Sequence, residues 1–372
     1  MDQEVSGTPR LLSLDTLRGF DMFWITGGSN LIRMFATQTH WAWAMFFYHQ
    51  MEHPDWNGFH LYDLIFPLFL FMAGVSTPFS FDSRLAKGVP KIQLLRKAIQ
   101  RGLILVALGI LYNNGIFHND WEQMRYPSVL GRIGLAGMFA QIIYLYSSRR
   151  WLYASVPLIL VGYWLIMVFV PVPGCGAGHL TKECNPASYL DSILLSFGGH
   201  QVSHDPEGVL STLPAIATGL IGIIAGVLLK TDEKQVDSNG KVSWLMIAGI
   251  ACISLAVLWD IIFPINKNLW TSSFTLLTAG LSLVLLGLFY WVIDVKKYTR
   301  WTFFFMVIGM NSIVIYMARK FINFKYTTQA LFGGLLEYLP ESVAKVAAIV
   351  MLILVQWAFI YWLHRKKWFL KI

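Results

Sequence analysis

The sequence predicts an all-α polytopic membrane protein with about ten transmembrane helices and a cap of outer loops. Of its 372 residues, 56% are hydrophobic and only 13% are charged, a balance that excludes an ordinary soluble domain. A helix needs about 20 apolar residues to cross a hydrocarbon core about 30 Å thick. Runs of about that length are found at 14–35, 61–82, 94–113, 129–147, 152–170, 212–230, 243–264, 271–293, 302–322 and 343–363.

The first run is expected to stay in the protein, because Asp15, Arg18 and Asp21 lie inside it and no small-residue cleavage site follows. If the N-terminus is cytoplasmic, most of the 29 Lys and Arg residues fall in cytoplasmic segments, including the 83–101 loop and the tail after 363. This agrees with the positive-inside rule and predicts that both termini are cytoplasmic. Membrane topology then explains the net charge of +8 without a nucleic-acid partner.

Groups that titrate near neutral pH are concentrated on the outer side of this topology. Only His364 of the nine histidines falls on the cytoplasmic side; the others are His40, His49, His53, His60, His118, His179, His200 and His204. The longest segments outside the spans, 36–60 and 171–211, are also outer and are predicted to cap a single transmembrane domain, 1–372. Cys175 and Cys184 share the second of these loops, where an oxidising compartment would allow them to pair.

Charges within the predicted spans are costly and therefore mark candidate functional residues. Asp15 and Arg18 lie three residues apart on one helical face, either as a structural ion pair or with Arg18 meeting an anionic ligand from the cytoplasm. Asp63 begins the second span and can pair with a histidine or an arginine. Arg132 lies near the outer start of the fourth span, where snorkelling is an alternative explanation.

Eight segments of the chain resemble, in the same order, the signatures of the heparan-α-glucosaminide N-acetyltransferase family, a family of transmembrane acetyltransferases. The resemblance extends from about residue 11 to the C-terminus, and no Gly-rich phosphate loop, HExxH or GxSxG motif competes with it. The segments are SLDTLRGF, HPDWNGFHLYDLIFPLFLFMAG, RYPSVLGRIG, DPEGVLSTLPAIATGLIGIIAG, PINKNLWTSSF, VIDV, GMNSIVIY and RKKWFLKI.

The resemblance implies an enzyme that takes acetyl-CoA from the cytoplasm and acetylates an amino sugar across the membrane, with no metal. The family motif H-x-x-W-N-G, which carries the catalytic histidine, matches His53, Trp56, Asn57 and Gly58. A neutral imidazole is a suitable base for the amine proton. The Asn57 amide can stabilise the oxyanion, or else brace the loop. Asp63 can orient the histidine, although a structural partnership with Arg132 is equally compatible with the sequence.

Because CoA is cytoplasmic and His53 is outer, an internal water-accessible tunnel is expected. Arg18, Arg96 and Lys97 are predicted to hold the nucleotide end, and Arg132 is included among the predicted cofactor-binding residues. Outer polar residues are predicted to bind the acceptor, since carboxylates there suit a cationic amino sugar. They are Asp205, Glu207, Asn266, Lys267 and Asn268.

The animal members of the family carry an extra luminal region and one further span before the core, whereas this sequence starts at the first core span. We therefore expect a bacterial inner-membrane protein, surrounded by lipid, with a periplasmic glycan or amino sugar as acceptor. A sugar or anion transporter and a non-catalytic scaffold remain alternatives. The sequence also leaves open O-acetylation, a longer acyl group, an acetyl-histidine intermediate and a homodimeric assembly.

Overall fold

The computed structural model of the protein describes residues 11–116, 124–196 and 203–370, so His118 and His200 lie outside the described residues. Apolar runs interrupted by Gly, Pro and polar residues fold into a series of helices within these ranges. The α-helices are α1 (Leu12–Phe23), α2 (Ser29–Thr39), α3 (Ala42–Gln50), α4 (Ile65–Ala86), α5 (Lys91–Asn114), α6 (Val129–Tyr146), α7 (Arg149–Phe169), α8 (Pro186–Leu194), α9 (Thr212–Lys230), α10 (Ser238–Asp260), α11 (Ser272–Phe289), α12 (Thr302–Met310), α13 (Ser312–Phe321), α14 (Phe324–Glu337) and α15 (Glu341–Arg365). A 3-10 helix, Leu61–Leu64, precedes α4, and π-helical turns occupy Trp24–Gly28 and Tyr290–Val295.

Seven helical segments of the described chain are long and apolar enough to cross a membrane, which confirms the all-α polytopic class. They are Leu61–Ala86, Val129–Tyr146, Arg149–Phe169, Thr212–Lys230, Ser238–Asp260, Ser272–Val295 and Glu341–Arg365. An eighth is formed if α12 and α13, which meet at a 70° bend, are taken as one span.

The first and third predicted spans are also helical but are not among these segments. The first is divided into α1 and α2 by the π-helical turn at Trp24–Gly28. The third is α5, whose N-terminal half carries Lys91, Arg96, Lys97 and Arg101. With 24 residues, α5 is still about 36 Å long at about 1.5 Å per residue, enough to reach across a bilayer.

The core of the bundle lies where α4 packs against α9. Small residues on α9 let the two backbones approach closely, as is common between membrane helices. A Cβ atom on Gly222 would lie 2.1 Å from the carbonyl oxygen of Phe71, so no larger residue fits there without moving α4. The buried side chains of Leu68, Phe71 and Leu220 fill the space around this contact.

The helices pack so that the bundle has two chemically different ends. At one end, Asp82 of α4 accepts hydrogen bonds from Lys230 at 2.6 Å and from Tyr144 at 2.8 Å, which joins the C-terminal ends of α4, α9 and α6. The segments before these three helices therefore meet at the opposite end. We call the first the basic end, because Arg84 and Lys97 lie there, and the second the His53 end.

The two outer loops contact each other at the His53 end, as the predicted cap requires. Trp56 donates its indole N–H to the carbonyl of Leu180 at 2.8 Å, and its ring packs 5.2 Å from that of His204. A disulfide joins Cys175 to Cys184, which confirms the pairing expected from the sequence. Cys252 is a free cysteine on α10.

Candidate active site

His53 lies at the start of the loop before α4, beside a buried carboxylate. Its Nδ1 is 2.6 Å from Oδ1 of Asp63, whereas half of the His53 side chain is exposed. The 3-10 helix fixes Asp63, because its Oδ2 accepts the backbone N–H of His60 at 3.0 Å. An ionised carboxylate only accepts hydrogen bonds, so Nδ1 of His53 carries the proton and Nε2 keeps its lone pair. The arrangement leaves Nε2 able to accept a proton.

Lys267 completes a cluster of three ionisable groups. It lies in the loop between α10 and α11, and its Nζ is 3.2 Å from Oδ1 of Asp63. The same Nζ is 3.1 Å from Nδ1 and 3.2 Å from Nε2 of His53. Because it is nearly equidistant from the two ring nitrogens, it does not point along the lone pair of either one. Burial lowers the pKa of Lys267, an effect that the charge of Asp63 opposes. An ammonium group is thus held beside the imidazole.

Two cavities meet at this cluster. The loop cavity, of about 270 Å³, opens among the loops and is lined by His53, Pro54, Trp56, Asp63, Arg125, Pro206, Glu207, Lys267 and Asn268. The apolar cavity, of about 280 Å³, extends from the cluster into the bundle between α4, α6 and α13. His53, Glu207 and Lys267 line both cavities. A molecule in either cavity can therefore reach the His53 imidazole.

Two further cavities continue from the apolar cavity toward the basic end. The middle cavity, of about 210 Å³, shares Phe69, Ser312 and Ile313 with the apolar cavity. The far cavity, of about 390 Å³, shares Ala73, Ser76 and Arg101 with the middle cavity and reaches Arg84 and Lys97. Adjoining cavities thus follow α4 along its length, in the direction that the predicted tunnel takes.

The predicted nucleotide-binding residues occupy different places. Arg18 lines the middle cavity, donates to Ser76 at 2.9 Å and pairs with Asp15 at 3.3 Å. The ion pair therefore forms, and contact with a ligand in the cavity stays a prediction. Lys97 lines the far cavity, whereas Arg96 is exposed and lines none of the four cavities.

Arg132 is far from the basic end, because α6 begins at the His53 end. Its guanidinium is buried, donates to Ser211 and to the carbonyl of Gly208, and lies 5.0 Å over the ring of Trp270. It lines none of the four cavities. The position of Arg132 therefore does not support a nucleotide contact, and it anchors the loop before α9 instead.

Sequence reasoning missed Arg101, which lines both the middle and the far cavity. A signal was present, because the buried residues Leu94, Ala98, Gly102 and Leu105 mark the inward stripe of α5. Arg101 falls within that stripe, four residues after Lys97, whereas Arg96 does not. Helical phase thus separates the inward arginine from the outward one.

The predicted acceptor-binding residues divide into two groups. Glu207, Lys267 and Asn268 line the loop cavity. Asp205 is buried and holds Arg125 through two hydrogen bonds, at 2.8 Å and 2.9 Å. These bonds, together with the charge of Glu207, raise the pKa of Arg125, so the ion pair persists and braces the cavity wall.

Asn57 and Asn266 bond to each other rather than to the imidazole. Asn266 donates its amide to Oδ1 of Asn57 at 3.0 Å and accepts the Leu269 N–H at 2.9 Å. Asn57 lines an open groove of about 450 Å³ between Asp55 and Glu183, and neither of the cavities that His53 lines. Its position favours the loop-bracing alternative over an oxyanion contact.

The chain is similar along most of its length to two N-acetyltransferases, although no protein-family model matches it. The human heparan-alpha-glucosaminide N-acetyltransferase is 28% identical over 418 residues, which cover 98% of this chain and 60% of the human protein. The mouse heparan-alpha-glucosaminide N-acetyltransferase is 28% identical over 378 residues, which cover 87% of this chain and 57% of the mouse protein. These two matches support membership of the chain in the heparan-alpha-glucosaminide N-acetyltransferase family. It spans about 60% of the length of these two relatives.

The structure gives the H-x-x-W-N-G segment of this chain a distinct geometry. His53 faces the two cavities, Trp56 ties the loop to Leu180, and Asn57 holds the loop before α11. Gly58 has a φ of 117°, a region that favours glycine, and it donates to Ile265 at 2.8 Å. The motif therefore positions the His53 side chain at the two cavities, and its other residues fix the loop.

Proposed function

We propose that the chain transfers an acetyl group from acetyl-CoA at the basic end to the amino group of an amino sugar or glycan at the His53 end. The observation that carries this proposal is the position of the His53–Asp63 pair, at the junction of the loop cavity and the apolar cavity. The similarity to two N-acetyltransferases supports the reaction class.

The series of cavities suits the shape of acetyl-CoA. From Asp63 to Ser76, α4 rises about 20 Å at about 1.5 Å per residue. The extended pantetheine arm, a chain of thirteen bonds from sulfur to phosphorus, spans about 15 Å at the reach of an extended backbone. With the thioester beside His53, the phosphates come close to Arg18 and Arg101, and the nucleotide lies in the far cavity near Lys97. Cations at that end suit the phosphates.

Acyl transfer then proceeds between the two cavities. The acceptor nitrogen attacks the thioester carbon, forming a C–N bond, while Nε2 of His53 takes the amine proton. Asp63 holds the imidazole and stabilises the imidazolium that results. Collapse of the tetrahedral intermediate breaks the C–S bond, and the thiolate receives the proton from His53. The products are an acetamide and free CoA.

Lys267 is placed to stabilise the oxyanion of that intermediate. Its ammonium lines both cavities and lies within 3.2 Å of His53. A donor aimed at developing negative charge is among the strongest catalytic effects. Lys267 takes the role that the sequence suggested for Asn57. The carboxylate of Glu207 accepts hydrogen bonds from the acceptor amine or a neighbouring hydroxyl.

Two cavities meet at His53, so each can hold one substrate, which favours direct transfer over an acetyl-histidine intermediate. The Lys and Arg residues at the basic end support a cytoplasmic position for that end, and the disulfide supports an oxidising compartment at the opposite end. A bacterial inner membrane with both termini in the cytoplasm satisfies these conditions.

Labelled acetyl-CoA supplied to the purified protein in nanodiscs, together with a panel of amino sugars, tests the proposal. We expect an N-acetylated sugar and an equal amount of free CoA. A protein that carries a labelled sugar or anion across proteoliposomes but releases no CoA with any acceptor would be a transporter instead.

A further inference from the structure

Asn311 is a buried amide without a partner in the middle of a broken helix. It lies at the 70° bend between α12 and α13, and only 2% of it is exposed. Neither Nδ2 nor Oδ1 of Asn311 has a hydrogen-bond partner among the described residues. Buried polar groups are nearly always paired, since an unpaired one is costly, most of all within a membrane. The side chain therefore has a donor and an acceptor to offer to a ligand.

The cavity that Asn311 lines indicates where such a ligand lies. Asn311 contributes to the wall of the middle cavity, together with Arg18, Ser76 and Arg101. The next residue, Ser312, lines both the middle cavity and the apolar cavity. Irregular backbone is tolerated at membrane depth where it is buried or lines a cavity, and broken helices in membrane proteins often surround a ligand.

We propose that Asn311 recognises an amide of the pantetheine arm, with its Nδ2 donating to the amide carbonyl and its Oδ1 accepting the amide N–H. This inference rests on the proposed function. An arm running from His53 to Arg18 and Arg101 passes through the middle cavity, and its two secondary amides are the groups that complement a carboxamide.

The recognition has a chemical consequence. The apolar cavity alone would accept any slender thioester. The buried carboxamide of Asn311 disfavours an acyl donor that has no amide at that depth, because the carboxamide would then have no hydrogen-bond partner. Asn311 is thus a specificity residue for pantetheine-linked acyl donors, and it also fixes how far the thioester advances toward His53.

The test crosses a substitution with a change in the donor. Asn311→Leu and wild-type protein are assayed with acetyl-CoA and with two analogues, each having one pantetheine amide replaced by methylene groups. We expect Asn311→Leu to lower kcat/KM for acetyl-CoA by about 10- to 100-fold. With the analogue that lacks the recognised amide, the kcat/KM of wild-type protein should fall by a similar factor. Asn311→Leu should then lower kcat/KM for that analogue no further.

Gln356→Leu is the matched control, since Gln356 is also a buried amide, has an unpaired Oε1 and lines none of the four cavities. It should leave the KM for acetyl-CoA unchanged. If Asn311→Leu does not fold, Asn311→Ala enters the same comparison. If Asn311→Leu lowers kcat/KM by the same factor with all three donors, or does not lower it at all, the proposed role of Asn311 is overturned. A wild-type protein that releases no CoA would instead overturn the proposed function.

Discussion

At the scale of single residues, one buried carboxylate organises the reactive cluster. Asp63 contacts the ring of His53 at 2.6 Å and the ammonium of Lys267 at 3.2 Å through the same oxygen. The partnership of His53 with Asp63 was among the alternatives that the sequence left open, because the two residues lie ten positions apart. Lys267 is 214 residues from His53 and was predicted only as an acceptor contact. No local pattern reveals a contact made by two distant loops.

Lys267→Met should separate a catalytic role from a structural one. The substitution keeps the length of the side chain but removes the donor for the oxyanion, so we expect kcat to fall by about 10²- to 10³-fold. The KM for acetyl-CoA should change much less, because Lys267 lies at the opposite end of the cavities from Lys97. Steady-state kinetics in nanodiscs measure both quantities.

Lys267→Arg is the control for this prediction, since it keeps the charge and changes the geometry. It should retain part of the kcat that Lys267→Met loses. If the Met variant melts like wild type and retains wild-type kcat, Lys267 has no part in the chemistry.

At the scale of elements, hydropathy predicted where helices form but not how they bend. Each of the ten apolar runs is helical in the structure, since in lipid a segment must satisfy its backbone within itself. The bend at Asn311 and the π-helical turn at Trp24–Gly28 were not predicted, because a window of about 20 residues averages over such local breaks. Asn311 was therefore missed as a candidate site residue.

The loop after α8 contains a histidine, His204, that should make the stability of the cap depend on pH. His204 is bonded to Ser188 at 3.0 Å, and burial lowers its pKa to about 4. Between about pH 6.5 and pH 4, the unfolded chain takes up a proton at His204 while the folded chain does not. The contribution of His204 to the stability of the folded protein is therefore lost as the pH falls. His204→Gln should remove this part of the pH dependence.

Melting temperatures of both proteins from pH 7.5 to pH 4.5 measure the effect. Burial raises the pKa of Asp191 to about 6, which acts in the opposite direction, but it acts equally in both proteins. The difference in melting temperature between wild type and variant should therefore shrink or reverse as the pH falls. Parallel curves would show that His204 does not resist protonation.

The disulfide should stabilise the cap without taking part in the reaction. Cys175 and Cys184 are nine residues apart, and closing a loop of that size contributes about 2–3 kcal/mol in the chain-entropy account. Replacing both with serine should lower the melting temperature while the kcat of protein that remains folded stays within a few fold of wild type. A loss of kcat without a loss of stability would place this loop in the active site.

At the scale of the whole molecule, the proposed function depends on one arrangement of cavities. Four adjoining cavities run from the loops at the His53 end to Arg84 and Lys97 at the basic end. Composition and charge predicted a membrane bundle with opposite ends of different chemistry, and the expected tunnel followed from placing His53 and CoA on opposite sides. Several lining residues, such as Arg18 and Lys97, were predicted, but the full lining of the cavities was not, because it depends on the rotation of each helix about its axis.

The most direct test of the central claim is CoA release by His53→Ala, measured with the melting temperature of the same purified protein. His49→Ala is the control, since His49 is exposed and lines none of the four cavities. Loss of a positioned general base predicts a fall of about 10²- to 10⁴-fold in the rate of acceptor-dependent CoA release, with an unchanged melting temperature. His49→Ala should resemble wild type. A folded His53→Ala protein that releases CoA at nearly the wild-type rate would contradict the account.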